Sequence, residues 1–440
     1  MRYPLEAANS AAFPDLIDAV ASPRRLRVFM MDLLCIIPYY TGYLCEELVH
    51  QDVDVTLGSI TYHYDRGHFH RHGIANDPGI CDMVAKRDLR SRLVRRSLKV
   101  LECWANIAAL HARFHRTPPD ILHVQYIPLI EENLPLELGL IRHAQRRGSK
   151  LVYTVHNELP LDTGGKHRRK YVRLYKLMDA LICHSEDAQQ RLVQDYGVPP
   201  NRLHVIPHGP MFHDLNRIGQ AEARRKLKLP AEECIVLWQG WIKPYKGIPF
   251  LLSAWQKVHQ SGLRARLVIA GSGDPQLEAE IRQQICTLGI ADSVRLDLRF
   301  IPVDELGYFH EAADIVVYPY REITTSGALM TGLAYGKPVV ATRLPVFEKL
   351  FEDGQSALLV DYGDASGMAA ALQRLICDEN QRVRLGEAAS RLAGSLPNSW
   401  KSIAAATRRC YDTVLGADCL KQTLPVPPTD VRSMGSQHNG

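Results

Sequence analysis

The sequence predicts an α/β protein made of two doubly wound, parallel-sheet domains facing a cleft. Three observations predict it. Short apolar runs alternate with amphipathic helical stretches along most of the chain, the mark of strand–helix–strand units with helices on both sheet faces. The alternation breaks at Pro207-His-Gly-Pro210 and then restarts, because proline and glycine together stop both strand and helix. The length, 440 residues, is well beyond the roughly 100–200 residues of a single domain.

The elements follow in chain order. Residues 1–23 carry little periodic signal and are read as a tail. The first domain spans 24–207. A strand over 25–31 opens it, followed by a loop at Pro38-Tyr-Tyr-Thr-Gly42 and a helix from Tyr43. Apolar runs at 53–60, 121–126, 151–156, 180–184 and 203–206 supply its other strands. The second domain spans 208–398, with strands over 235–239, 266–270, 294–300, 315–320, 338–341 and 357–360. Amphipathic stretches such as 248–259 and 304–312 fill the gaps as helices. A closing helix covers 399–415. The tail over 416–440 holds Pro425, Pro427 and Pro428, ends in polar residues and is read as disordered.

Composition narrows the function. Hydrophobic residues make up 46% and charged residues 23%, which excludes a disordered, collagen-like or coiled-coil chain. The net charge of +5 comes from 53 basic against 48 acidic residues. So small an excess argues against a dedicated nucleic-acid binder, and no nucleic-acid partner is expected. The ten cysteines are scattered without a Cys-x-x-Cys spacing, several in apolar runs. They read as buried reduced thiols of a cytosolic protein. Pro4, Asp15 and Asp18 interrupt the N-terminal stretch, so no signal-peptide core is read there. No window holds the ~18 apolar residues of a membrane span. A cytoplasmic location is expected.

In open α/β sheets, ligands bind beyond the carboxyl ends of the strands, so the residues after each strand are the candidates. Lys243 and Lys246 follow the strand ending at Gln239 and precede a helix. Two ammonium groups beside a helix N-terminus suit a diphosphate, although two solvated loop lysines read the same. Thr324, Thr325, Ser326 and Gly327 follow the strand ending near Tyr320. They offer hydroxyls and backbone N–H groups, either as a phosphate cradle or as an ordinary helix cap. His156, directly after the strand in Thr154-Val-His156-Asn157, would protrude into the cleft, as a catalytic or a structural histidine. Gly271-Ser-Gly273 is half of a dinucleotide fingerprint and a weak signal for NAD. His68-Phe-His70-Arg-His72 would offer imidazoles to a metal if extended. It lacks further ligands at a convincing spacing except Asp65, and reads as a polar loop. No metal site is expected.

Charge is concentrated in two places. Residues 86–99 carry Lys86, Arg87, Arg90, Arg92, Arg95, Arg96 and Lys99 against one acid, Asp88. Leu89, Leu93, Val100 and Trp104 lie along the opposing helical stripe. Residues 166–176 carry six more basic residues and no acid. Both read either as solvated helix faces or as a surface for anionic lipid headgroups. With Leu89, Leu93 and Trp104 packed inward, such a contact would be mostly electrostatic.

Several short motifs agree in order and spacing. They are Tyr153-Thr-Val-His156-Asn157, Val205-Ile-Pro-His-Gly209, the Pro-Tyr-Lys-Gly run within 240–247, and Ile269-Ala-Gly-Ser-Gly273. Ala313-Asp314 before Val316-Val-Tyr-Pro319, and Gly336-Lys-Pro-Val-Val-Ala341, complete the set. Together they resemble glycosyltransferase family 4, retaining enzymes of the GT-B architecture, over roughly 25–415. The resemblance implies two Rossmann-like domains. The C-terminal one would bind a nucleotide-sugar donor and the N-terminal one a glycan or lipid-linked acceptor. It implies that Lys243 and Lys246 hold the donor diphosphate, and that the helix opening at Ser326 and Gly327, with Thr325 before it, faces the same group. Gly42 and Gly240 would bring backbone close to the donor, and His156 would contact the transferred sugar. No metal or separate cofactor is expected, since the lysines and helix-end N–H groups neutralise the leaving diphosphate. The mechanism the resemblance implies has that diphosphate take the acceptor's proton, so no nucleophilic carboxylate is required.

The chain departs from that family at two points. A Glu-x7-Glu pair often precedes the Gly-x-Pro-Val run, and here Ile323 and Thr331 fall on its two places. Glu322 is one residue from the first place and can substitute. The second has no acidic stand-in. The arginine often found after the strand-end glycine is Trp241. Two rivals therefore stay open. One is a nucleotide-sugar epimerase, which would need a cluster of acids and bases where only His156 and Glu322 are visible. The other is a non-catalytic partner subunit. Many enzymes of this resemblance extend glycans on lipid diphosphates. Polysaccharide or glycolipid assembly, at the inner face of a membrane, is expected.

Overall fold

The computed structural model describes residues 24–416 apart from 63–64, 77–79, 85–91, 132–133, 161–164, 213–216, 324–325 and 395–398, and apart from the side chains of 75–76, 92–93 and 96. The first sheet contains β1 (Leu26–Met31), β2 (Val53–Gly58), β3 (Ala75–Asn76), β4 (Ile121–Val124), β5 (Lys150–Val155), β6 (Ala180–Cys183) and β7 (Leu203–Val205). All its pairings are parallel, in the order β3-β2-β1-β4-β5-β6-β7. Its helices are α1 (Pro38–Val49), α2 (His68–Arg71), α3 (Arg92–Arg116), α4 (Leu136–Arg146), α5 (Arg168–Leu177) and α6 (Glu186–Tyr196).

The second sheet contains β8 (Cys234–Gln239), β9 (Ala265–Ala270), β10 (Val294–Asp297), β11 (Ile315–Tyr318), β12 (Val339–Thr342) and β13 (Leu358–Val360). Its order is β10-β9-β8-β11-β12-β13. The helices here are α7 (Gln220–Leu227), α8 (Ile248–Gln260), α9 (Pro275–Leu288), α10 (Val303–Ala312), α11 (Gly327–Ala334), α12 (Pro345–Leu350), α13 (Ala365–Cys377) and α14 (Glu379–Ala393). Both sheets therefore reverse strand order once, between β1 and β4 and between β8 and β11. Crevices open at such switch points. Strands beside them, such as Ile-Val-Val-Tyr of β11, are buried along their whole length, which is why they read as continuous apolar runs.

The last helix, α15 (Trp400–Leu415), returns to the first half. Its Tyr411 hydroxyl lies 2.6 Å from His123 Nδ1 on β4. Gln51 after α1 donates to the Lys401 carbonyl at 3.2 Å. At its start the Trp400 indole N–H donates to the Pro210 carbonyl at 2.7 Å. One element thus holds both the first sheet and the segment that crosses between halves. Asp314, after the alanine of the Ala-Asp motif, is equally structural. Its carboxylate accepts from the Ile235 N–H at 2.6 Å and from Arg224 at 2.5 Å, pinning the start of β8 to that of β11.

The structure corrects four sequence readings. Asp32, fully buried after β1, accepts from the N–H groups of Ile36 at 2.9 Å and Ile37 at 3.0 Å. That turn sets Pro38 at the first helical position, where its missing N–H costs nothing. Gly42 therefore lies buried inside α1 rather than in a loop. A Cβ there would sit 2.8 Å from His68 Nε2, so the buried imidazole would have to shift for any larger residue.

His68 to Arg71 is itself helical, not an extended strip of imidazoles. His68 is buried and His72 Nδ1 lies 2.6 Å from Glu46 Oε2. Only four of the described cysteines are buried, and Cys286 and Cys377 are exposed. Finally, Trp104 is 51% exposed and Val100 49%. It is the C-terminal half of α3, through Ile107, Leu110 and Phe114, that packs inward. Leu89 and the Leu93 side chain lie outside the described residues.

Candidate functional site

The crevice at the β8/β11 switch point is built by close backbone contact. Gly240 follows β8 with φ +149°. A Cβ on Gly271, which follows β9, would lie 1.8 Å from the Gly240 carbonyl oxygen. The Ile242 N–H donates to the Ser272 carbonyl at 2.8 Å. The Gly271-Ser-Gly273 run thus serves to seat one loop on another, which accounts for the half-formed dinucleotide fingerprint. Gly247, φ +68°, ends a short 3-10 turn over Pro244–Lys246. A Cβ on it would lie 1.8 Å from the Pro319 carbonyl oxygen, locking the loop after β8 to the loop after β11.

That lock buries Lys246. Its ammonium is 3.4 Å from the Tyr320 hydroxyl and 5.0 Å from the centre of the Tyr320 ring. It also lies 3.0 Å from where a Cβ on Gly240 would be. The Tyr320 hydroxyl is in turn 3.4 Å from Ser326 Oγ. Ser326 is buried and caps α11 by accepting from the Leu329 N–H at 3.2 Å. Burial lowers the Lys246 pKa from the ordinary lysine value, and among the described residues no carboxylate pairs with it. An ammonium held this way is a site for an anion.

Gly327 is the first residue of α11, and a Cβ there would meet Met211 of the crossing segment at 3.6 Å. Thr325 lies outside the described residues. Lys243 is exposed at the start of the 3-10 turn, so the two lysines sit in different surroundings. Glu322 is half exposed and pairs with Arg321 at 3.3 Å. Both line an interdomain cavity of about 560 Å³, with Glu158, Ser185 and Arg191 from the first half. Asp187 of α6 and Lys349 of α12 form an ion pair between the two halves. Thr331, at the second place of the Glu pair, is buried with its hydroxyl donating to the Gly327 carbonyl at 2.9 Å.

His156 does follow β5, but it does not protrude. It is 7% exposed. Its Nε2 lies 3.1 Å from Gln125 Oε1 and its Nδ1 lies 3.4 Å from His184 Nε2. The edge-on ring of Tyr40 from α1 covers it at 4.8 Å, and Tyr40 packs in turn on His208 and Trp400. Burial pushes His123 and His184 down to about 3 and His208 to about 4, and holds His156 well below its usual range. The cluster is neutral at ordinary pH. The rule that selected His156 also selects Gln125 after β4 and His184 after β6, which sequence reasoning passed over. Two acids lie in the same half. Burial raises Asp32 to about 6 and Glu137 to about 8.

Comparisons with known proteins agree with this arrangement. A family model described as Glycosyltransferase Family 4 matches residues 38–210, and one described as Glycosyl transferases group 1 matches 233–378. The D-inositol 3-phosphate glycosyltransferase of Acidothermus cellulolyticus is 31% identical over 303 residues, 64% of this chain and 66% of that protein. Its counterpart in Thermobispora bispora is 29% identical over 299 residues, 64% of this chain and 69% of that protein. About a third of each relative's length thus lies outside the match. Among solved structures, a sucrose-phosphate synthase from Thermosynechococcus elongatus superposes with a TM-score of 0.68 at 19% identity, covering 90% of this chain and 100% of that one. HepE of Anabaena, solved with UDP and glucose, gives 0.68 at 18% identity, covering 88% and 100%. At these identities the likeness shows the fold, two Rossmann-like domains in the GT-B arrangement.

Proposed function

The chain belongs to the family 4 glycosyltransferases, and from that premise we propose that it moves a sugar from a nucleotide-sugar donor to a hydroxyl acceptor with retention at the anomeric carbon. The observation that carries this reading is the buried Lys246 ammonium beside Gly240, Tyr320 and the Ser326 cap of α11. Negative charge grows on the leaving diphosphate as the glycosidic bond breaks. A fixed ammonium and the free N–H groups at the start of α11 stabilise that charge without reorganising. These cations and dipoles do the work a metal does elsewhere. A diphosphate oxygen takes the acceptor's proton, so no protein nucleophile is needed on the reacting face. UDP and glucose in the Anabaena neighbour support a nucleoside diphosphate sugar as donor.

Glu322 stands in the cleft wall opposite the first domain and is assigned to the transferred sugar. His156 acts as a positioning residue beneath the acceptor, through Gln125 and His184. Lys243 adds long-range attraction at the rim. The basic stretch entering α3 supports work at an anionic membrane face, in polysaccharide or glycolipid assembly. The test is product configuration, read by NMR on the sugar released or transferred from an α-linked donor. The α anomer is expected to form first, and initial formation of the β anomer overturns retention. One observation favours a non-catalytic partner subunit instead. The buried, backbone-bonded Thr331 offers no carboxylate at its place. Tight donor binding with no hydrolysis or transfer to any acceptor decides for that reading.

A further inference from the structure

We propose that the first half carries a separate apolar pocket for the hydrocarbon chain of an anionic, lipid-linked acceptor, an alkyl or prenyl phosphate. A cavity of about 330 Å³ opens between α3 and the loops that follow β1, β2 and β4. Leu34, Ile36, Ile60, Leu129, Cys103 and Trp104 line it. Its size and apolar walls are those of small-molecule sites, which run from roughly 300 Å³ upward.

The polar groups inside it are already committed to the chain. Asn106 accepts from the Cys81 N–H at 2.6 Å and donates to the Cys81 carbonyl at 2.9 Å. The Glu102 carboxylate accepts from the Val84 N–H at 3.1 Å and from that of Met83. The interior therefore offers hydrocarbon to hydrocarbon.

The rim says what head group follows the chain. Lys99 lines the mouth. Its pKa is lowered first by partial burial and then by the like charge of Arg95, with Glu102 and Asp82 raising it, and an anion beside it would offset the Arg95 charge. Arg95 and Lys99 lie one turn apart near the start of α3, the positive end of the helix dipole, and its first turn holds no acid. Outside the mouth, Leu101 is 65% exposed and Trp104 51%, an apolar patch flanked by cations. A flat headgroup surface would need the cations alone. The concavity is what adds a chain. The loops involved flank the β1/β4 switch point, on the side assigned to the acceptor. That the bound lipid is a substrate rests on the function proposed above, whereas its binding does not.

The experiment is calorimetric titration of the full chain with farnesyl phosphate, geranyl phosphate, inorganic phosphate and octyl glucoside, each below its critical micelle concentration. Farnesyl phosphate is expected to bind tenfold or more tighter than geranyl phosphate, since each buried methylene favours binding about fourfold. Inorganic phosphate and octyl glucoside are expected to bind far more weakly. Cys103→Trp, which fills the pocket, should abolish the chain-length dependence, and Lys99→Glu should remove the preference for phosphate. Trp104→Ser, at an exposed position, serves if the filled variant does not fold, and circular dichroism with a cooperative thermal melt is the folding control. The pocket is overturned if inorganic phosphate or octyl glucoside binds as tightly as farnesyl phosphate. It is overturned equally if the chain-length dependence survives in a folded Cys103→Trp or Trp104→Ser variant. Farnesyl phosphate binding by a chain that binds no nucleotide or nucleotide sugar would retain the pocket and sink the donor reading.

Discussion

Lys243 and Lys246 are three positions apart in sequence but differ in what surrounds them. Lys243 is in water, where a charge–phosphate contact is screened. Lys246 is 8% exposed, and a charge-assisted contact there is worth about 1.5–3 kcal/mol. Lys246→Ala is therefore expected to weaken donor binding roughly ten- to over a hundred-fold, and Lys243→Ala by clearly less. Equal effects measured by titration would contradict the assigned geometry. His156→Ala would remove one partner each from Gln125 and His184. Thermal unfolding at a lower temperature, with kcat falling more than nucleotide affinity, is expected from a positioning residue. The strand-end rule made Lys246 and His156 legible from sequence. It did not reveal that Tyr40 roofs the histidine with His208 and Trp400 behind it, because those residues come from α1, the crossing segment and α15.

At the scale of elements, the β8/β11 crevice depends on two loops pressed together at Gly247. Its positive φ and the Pro319 oxygen leave no room for a side chain. Gly247→Ala should separate the loops, lower the melting temperature and cost donor affinity even with Lys246 intact. Unchanged calorimetry and affinity would show that the lock is not needed. The strands were legible because apolar runs of this kind have few other uses, and only the two-residue β3 left no signal. Boundaries set by tertiary detail were less so. Asp32 capping the turn before Pro38 moved the start of α1 and placed Gly42 inside it. In α3 the periodicity marked an apolar stripe along the helix. It could not say that its C-terminal half meets the sheet while Val100, Leu101 and Trp104 remain in water.

At the scale of the whole molecule, the histidine cluster ties folding to pH. Burial lowers His123, His156, His184 and His208, and separately His68 and His310. Below the ordinary value of 6.5 the unfolded chain binds protons that the folded chain refuses. The histidines' contribution to stability is thus complete above pH 6.5 and lost as pH falls toward 4 and then 3. Asp32 and Glu137, raised to about 6 and about 8, work in the opposite sense over their own windows. Six imidazoles outweigh two carboxyls. Scanning calorimetry should show the melting temperature falling steadily from pH 7 to pH 4.5, and a flat or rising profile would contradict the buried cluster.

The proposed function turns on a nucleoside diphosphate sugar binding at the β8/β11 crevice through Lys246. It is tested most directly by titrating a panel of nucleotide sugars into the wild-type chain and into Lys246→Ala with a matched melting temperature. At least one nucleotide sugar is expected to bind the wild type, and the variant to bind it roughly ten- to over a hundred-fold more weakly. Saturation of both proteins at the same affinity, or no binding of any nucleotide sugar to the wild type, would contradict it.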